Sequence, residues 1–308
     1  MSKVVVVRNT GSNTDGKLER EEYRLMLQPA FRVLSGEDNV YFAVRKYIPR
    51  GPVGMKVNCL TGRFFPTPKN LVEALSKLIL ANTDIDENSI IVWERTAREL
   101  SDAGYELNAS SFGRRCLGTD ANGIGYADNF ETAGEVSTRI SRILTDMVAL
   151  NINLPVLKDH SIAGLSASLK NMYGAIFNPN KLHDNHCSPY AAHLAALPTI
   201  KAKCRLSIID ATRIQYQGGP GYMSEYMAPY KGLIISDDAI SADRVALEIL
   251  EKVRQAHQQP PLDKVGRPVN YLRVAEELGL GTADMNKIEL KVIAVDNDGN
   301  ILSGEIWP

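Results

Sequence analysis

Histidines are crowded into one part of this chain. Four of the five, His160, His183, His186 and His193, fall between positions 160 and 193. The run His183-Asp184-Asn185-His186-Cys187 puts two imidazoles and a thiol in one loop. Imidazole with thiolate is a donor set for zinc, iron, nickel or copper, which makes His160, His183, His186 and Cys187 candidate metal ligands. Their spacing matches no structural zinc finger, and loop histidines are also ordinary polar surface. His193 sits in an alanine-rich stretch and reads as packing. Lys158-Asp159-His160 is the densest chemical triplet. A lysine there could hold a carboxylate or phosphate, or act as a base if desolvated. A helix opening at about Ser161 would aim free backbone N–H groups at the same anion. His160 or His183 would then move a proton, with Asp159 or Asp210 orienting the ring. Lys170-Asn171 lies about three turns along that helix, and taken alone Lys170 fits a solvated face.

Other chemistries lack their motifs. No C-x-x-C occurs among Cys59, Cys116, Cys187 and Cys204, so ferredoxin-type iron–sulfur ligation has no signature. Gln217-Gly218-Gly219-Pro220-Gly221 is neither a nucleotide P-loop nor a dinucleotide fingerprint, and reads as a broad turn lining a pocket. Asn9-Thr10-Gly11-Ser12, after the first apolar run, has a single glycine, which disfavours a standard NAD enzyme. Gly164-Leu165-Ser166 lacks the second glycine of a nucleophile elbow.

The elements that must position these groups follow from periodicity. Apolar runs at Val4–Val7, Val53–Asn58, Ser89–Trp93, Arg114–Leu117, Leu150–Leu157, Leu206–Ile209 and Leu233–Ile235 read as buried strands. Helical spacing covers Glu19–Leu34, with Pro29 expected to kink or break it. Short helices are expected at Tyr41–Tyr47 and Arg139–Met147. Thr67-Pro68 opens a helix through Leu80. Further helices are expected over Ser161–Ile176, Pro189–Lys201, Ser241–Gln255 and Tyr271–Leu278. Asp298-Gly299 joins Ile288–Val295 and Ile301–Ile306 as a terminal hairpin. The rhythm implies an α/β fold, a mostly parallel sheet with flanking helices and a C-terminal β-hairpin. We read residues 1–308 as one compact α/β region, with 141–150 the place where two lobes would divide. Ligands of such sheets bind beyond the carboxyl ends of the strands. That rim carries Asn58 and Cys59, Glu94 and Arg95, Lys158 to His160, Asp210, and Asp237 with Asp238, while Gly219 belongs to the pocket turn.

Composition bounds the partners. With Lys+Arg 35 against Asp+Glu 36 and a net charge of -1, no global field attracts nucleic acid. No apolar stretch approaches the roughly 18 residues of a membrane span, so membrane insertion is not expected. The first eight residues make a strand rather than a signal peptide.

Several motifs occur in an order that resembles the bacterial and archaeal domain-of-unknown-function family 362. They are Val53-Gly-Met-Lys56-Val-Asn58-Cys59 with Thr67-Pro-Lys-Asn-Leu-Val-Glu-Ala-Leu; Leu154-Pro-Val-Leu-Lys158-Asp159-His160-Ser-Ile-Ala-Gly164; Leu169-Lys170-Asn171-Met-Tyr-Gly174; Asn178 through Asp184-Asn185 before Cys187; Ile209-Asp210-Ala211; Gly218-Gly219-Pro220-Gly221; and Ala275-Glu-Glu-Leu-Gly279-Leu-Gly281. The resemblance covers nearly the whole chain and implies no assigned reaction. Some members carry ferredoxin-type cysteine runs, absent here. Many are exported by the twin-arginine route, which implies a periplasmic location if a leader was removed and a cytoplasmic one otherwise. In layout the family is loosely similar to nickel-dependent lactate racemases. His186 departs from the glycine expected before the cysteine. The resemblance adds Lys56 and Asn171 to the candidates, and implies that Cys59 and Cys187 could meet across the cleft, as a disulfide or as a metal or redox pair.

The expectation is an α/β enzyme, oxidoreductase-like, acting on a small anionic organic molecule by redox or proton-transfer chemistry. Lys158, His160, Lys170, His183 and Asp210 would be catalytic, and Lys56, Asn58, Arg95, Asn171 and Gly219 would bind substrate. A transition metal is optional. The alternative is a non-catalytic protein that binds a metal, cofactor or small anion.

Overall fold

The computed structural model describes residues 1–11 and 15–306. Ser12, the last residue of the Asn9–Ser12 turn, lies outside the described residues. Among the described residues an eleven-stranded sheet has nine strands in the order β13-β12-β1-β11-β10-β7-β2-β3-β4, with β8 pairing off β10 and β9 pairing with β8. In chain order its strands are β1 (Ser2–Asn9), β2 (Val53–Val57), β3 (Ile90–Glu94), β4 (Arg115–Gly118), β7 (Leu150–Leu154), β8 (Val156–His160), β9 (Gly164–Ser166), β10 (Cys204–Gln215), β11 (Met227–Ser236), β12 (Ile288–Val295) and β13 (Ile301–Ser303). A separate small hairpin is formed by β5 (Glu131–Ala133) and β6 (Val136–Thr138).

From β10 through β7, β2 and β3 to β4 every neighbour is parallel. The sheet is mixed, mainly parallel: β11 is antiparallel to both β1 and β10, β12 is parallel to β1, and β12–β13 form the expected antiparallel C-terminal hairpin. β10 and β11 are longer than their apolar runs suggested, because their polar ends still pair as a ladder.

Helices cover both faces, which is why the central strands are buried along their whole length, polar Lys56, Asn151 and Asn153 included. Val5 and Val7 face a core shared with α1 (Arg20–Ser35), α2 (Val40–Tyr47) and α3 (Lys69–Asn82). Val4 and Val6 face the other side, against α8 (Ala239–Ala256). A third cluster joins Trp93 and Ile91 to α5 (Ser168–Asn171), α6 (Tyr190–Ala195), α7 (Pro198–Lys203) and α9 (Tyr271–Glu277). A short α4 (Ala97–Asp102) follows β3. No described helix is long and apolar enough to cross a membrane.

Four expectations about elements change. The helix expected over Pro189–Lys201 is two, α6 and α7, with Pro198 opening the second. α1 passes through Pro29 unbroken, because Tyr23, Met26, Leu27, Ala30, Phe31 and Leu34 bury one apolar stripe around it. That packing outweighs a cost of roughly 3 kcal/mol for an interior proline. The segment Arg139–Met147 holds only one wide turn, Ile143–Met147. The largest change is at Leu150–Ile176, where one strand and one helix were expected. Pro155 divides the strand into β7 and β8, and the backbone turns back at Ser161–Ala163 into β9. No helix starts at Ser161: the chain turns back there to pair β9 with β8, and the His160 ring closes the turn. Its Nδ1 accepts from Ile162 N at 3.1 Å and Ala163 N at 3.2 Å. The helical part is confined to α5 and a tight turn at Met172–Ala175.

Candidate functional site

The carboxyl ends of β2 and β3, the β8–β9 hairpin, α5 with its following turn, and the Pro179–His183 loop surround a cavity of about 260 Å³. Lys56, Asn58, Arg95, His160, Lys170, Asn171 and His183 all line it, joined by Glu94, Glu99, Ser166, Tyr173 and Gly174. Leu60 and Pro220 stand at its edge, and next to them Phe64 stacks on Tyr222 with ring centroids 5.2 Å apart.

The β2–β3 wall is charge-compensated. Lys56 Nζ lies 2.5 Å from Glu94 Oε1 and donates to Val57 O at 2.7 Å, with both side chains almost wholly buried. Glu94 also accepts from the amides of Cys59 and Arg95. Gly174 covers this pair. A Cβ there would stand 2.8 Å from both Glu94 Oε1 and Lys56 Nζ, so only glycine lets the turn after α5 close over them. Arg95 pairs with Glu99 at 2.6 Å. Between the walls runs an amide ladder. Asn58 Nδ2 donates to Asn171 Oδ1, and Asn171 Nδ2 donates to Asn153 Oδ1 and Lys56 O. Asn153 Nδ2 then donates to Ser168 O. Thr67, expected as a helix cap, instead donates to Leu154 O and accepts from Asn58 N, fixing Asn58 at the end of β2.

The β8–α5 wall carries uncompensated cations. Among the described residues Lys170 Nζ has no carboxylate partner. It sits 3.2 Å above the Tyr173 ring, 3.2 Å from His183 Nε2 and 3.5 Å from Cys187 Sγ. Burial lowers its pKa to about 8, against an opposing pull from Cys187. The wet face expected for Lys170 is therefore replaced by a buried one. The cause lies far away in sequence: both Asp243 carboxylate oxygens on α8 accept the Ser168 and Leu169 amides, which turns α5 inward. Burial pushes Asp243 itself up to about 7.

Strand alternation separates the Lys158-Asp159-His160 triplet. Lys158 is fully buried behind the glycine strap, with Nζ donating to Pro220 O at 3.1 Å, and burial lowers it to about 8. Asp159 points the opposite way. It pairs with Arg267 at 2.5 Å and accepts the Gly219 amide at 2.6 Å. Gly219 does not line the cavity; it packs on Asp159, where a Cβ would meet Asp159 O at 2.0 Å.

Hydrogen-bond partners set the ring protons. The His160 Nδ1 lone pair is taken by two amides, so the neutral ring carries its proton on Nε2. Burial, reinforced by Lys170, His183 and Lys158, lowers His160 to about 3, so it stays neutral. What His160 offers the cleft is an N–H donor. His183 is the mirror case. Nδ1 lies 3.0 Å from Pro179 O, and a carbonyl only accepts, so Nδ1 carries the proton and Nε2 turns a lone pair to Lys170. Burial, then Lys170, lowers the pKa of His183 as well.

Besides Lys158 and Gly219, three more candidates lie off the cavity wall. Asp210 is absent from the cavity wall. It is buried on β10 near Tyr23 and Thr212, where burial raises it to about 6, so no histidine is oriented by it. His186 is half-buried and outside the cavity wall, with Nδ1 3.1 Å from Ile162 O. Cys187 is buried behind Lys170, and Asn185, His186 and Cys187 all adopt left-handed backbone. All four cysteines are free, so Cys59 and Cys187 are not bonded.

A metal fits these side chains poorly as they stand. Among the described residues no three or more His, Cys, Asp or Glu are grouped to hold one. His160 turns an N–H rather than a lone pair inward, and the Lys170 ammonium stands between His183 and Cys187.

Tyr173, Glu99, Asn153, Asp243 and Arg267 were not singled out from sequence. Tyr173 follows Lys170 by three positions, a helical spacing that signals the contact. Asp243 and Arg267 have no local signal.

Comparison with known proteins gives a family and little else. No curated protein matches the chain. A crystal structure of a protein from Thermotoga maritima is similar at 12% identity, with 80% of this chain and 61% of that one covered and a TM-score of 0.42. This chain thus spans less than two thirds of that protein's length. The family model for a domain of unknown function, DUF362, matches residues 53–248, the segment that holds every wall of the cleft. The chain belongs to the DUF362 family.

Proposed function

We propose that the cleft binds a small organic carboxylate and moves a proton at the carbon next to its carbonyl or carboxylate group. The observation that carries this reading is Lys170, an amine buried without a counter-charge on the wall of the cavity. Its lowered pKa of about 8 leaves a useful fraction as free amine near neutral pH. In this reading the free amine of Lys170 takes the proton from carbon. The electron pair left behind moves onto the carbonyl oxygen, where the His160 Nε2–H donates to it. A neutral imidazole suits that part, because it polarises oxygen without giving up its proton to a weak base. Lys158, buried behind the wall, and the fraction of Lys170 that keeps its proton supply the positive field that draws the anion in. Lys56 and Arg95 contribute less charge, since Glu94 and Glu99 already answer them.

The test is solvent exchange. The intact protein is incubated in D₂O with a panel of small keto- and hydroxycarboxylates, and loss of the carbon-bound proton is followed by NMR. Exchange is expected for some member of the panel, with a rate that rises with pH through about 8 and levels above it, because the free amine is the active form. Binding without exchange, under conditions where Lys170 is deprotonated, would make the protein an anion carrier rather than an enzyme.

A further inference from the structure

The two walls of the cleft have opposite hydrogen-bonding character. On the β8–α5 side the polar groups are donors, Lys170 and the His160 Nε2–H. On the β2–β3 side, buried acceptors are left over. Asn58 Oδ1 and Glu99 Oε2 are buried, belong to residues lining the cavity, and have no hydrogen-bond partner. The neighbouring Thr61 hydroxyl is also buried and unpartnered. An orphaned buried acceptor costs about 1–3 kcal/mol, and a native fold keeps one where something else fills it.

From this polarity we infer that the cleft takes a hydroxylated carboxylate. Its anionic end meets Lys170 and His160, and a neutral hydroxyl donates to one of the two acceptors, Asn58 Oδ1 or Glu99 Oε2. Charge decides between hydroxyl and ammonium. Glu99 is already paired with Arg95 and Lys56 with Glu94, while Lys170 has no carboxylate in contact, so protonated Lys170 leaves the cleft with surplus positive charge. A second ammonium would be repelled, whereas a hydroxyl brings a donor without charge. The inference rests on the anion-binding reading above and adds the chemical class of the ligand.

Matched ligands test it on the intact protein. Isothermal titration compares propanoate, 3-hydroxypropanoate and 3-aminopropanoate, with hexanoate and gluconate as a longer pair. In at least one series the hydroxylated acid is expected to bind about tenfold or more tightly than its parent. Asn58→Ala should bring that ratio toward one. If the variant does not fold, the ligand pairs on the native protein still decide. Equal affinity of parent and hydroxylated acids overturns this inference while leaving the anion reading standing. Tighter binding of 3-aminopropanoate overturns the neutral-donor assignment. No binding by any of the carboxylates overturns the anion reading and the inference with it.

Discussion

Lys56 and Lys170 line the same cavity from opposite walls, and their surroundings make them different groups. Lys56 is locked to Glu94 and to Val57 O, beneath a glycine that lets the pair be covered. Lys170 meets an aromatic face, an imidazole lone pair and a thiol, none of which returns a full charge. The first arrangement fixes β2 to β3. The second leaves an amine whose proton is loosely held. A buried lysine is thus structural or chemical according to what answers its charge, not according to its burial.

Substitutions separate the two roles, beginning with the largest effect. Lys170→Met should lower the exchange rate by about a thousandfold or more while the protein stays folded, as judged by circular dichroism. An unchanged rate would remove Lys170 from the chemistry. Lys56→Met leaves Glu94 buried and unanswered, and should destabilise by about 3–5 kcal/mol in urea unfolding. Replacing both Lys56 and Glu94 with apolar residues should recover much of that loss, since the pair itself contributes little net stability. If the single change is silent, the wall is more open to water than the structure shows.

Lys158→Met should act in the opposite direction. It removes a charge buried with one hydrogen bond, and should stabilise by roughly 2 kcal/mol. The pH dependence follows from the same shift. Folded, Lys158 and Lys170 hold their protons only up to about 8, against an ordinary 10.5 when unfolded. Between those values the unfolded chain binds more protons, so stability rises with pH from about 8 to about 10.5. Each lysine-to-methionine change should flatten part of that slope. The smallest effect is expected from Gly174→Ala, whose new methyl would press on the Lys56–Glu94 pair and cost about 1–3 kcal/mol.

How much of this could be read in the sequence depended on the range of the forces involved. The sheet was legible because strands buried on both faces are apolar runs, and Asn58, Glu94 and Arg95 were legible because strand ends are where such sheets bind ligands. The terminal hairpin followed from one Asp-Gly turn. Lys158-Asp159-His160 was found as a triplet but misplaced at a helix start, because the competing structure depends on the His160 ring capturing two amides. Spacing alone puts Lys170 on a solvated face and the family motif makes it a catalytic candidate; its burial has no local signal, because the group that turns it inward is Asp243, on a helix that begins far along the chain. Asp210 looked like a rim residue, yet β10 continues past it, and the side chain ends up beside Tyr23 and Thr212. The ring tautomers, which separate a donor from a ligand or a base, depend on partners that no spacing rule supplies.

The central claim is that two lysines are buried with no carboxylate in contact and hold their protons weakly, and it can be measured without knowing the substrate. Lysine side chains labelled with ¹³C at the ε position would be titrated by NMR in the native protein and in Lys158→Met and Lys170→Met. The account predicts two resonances that titrate near 8, one missing in each variant. If every lysine resonance titrated near its ordinary value of about 10.4, the β8–α5 wall would be solvated and the proposed proton chemistry would lose its base.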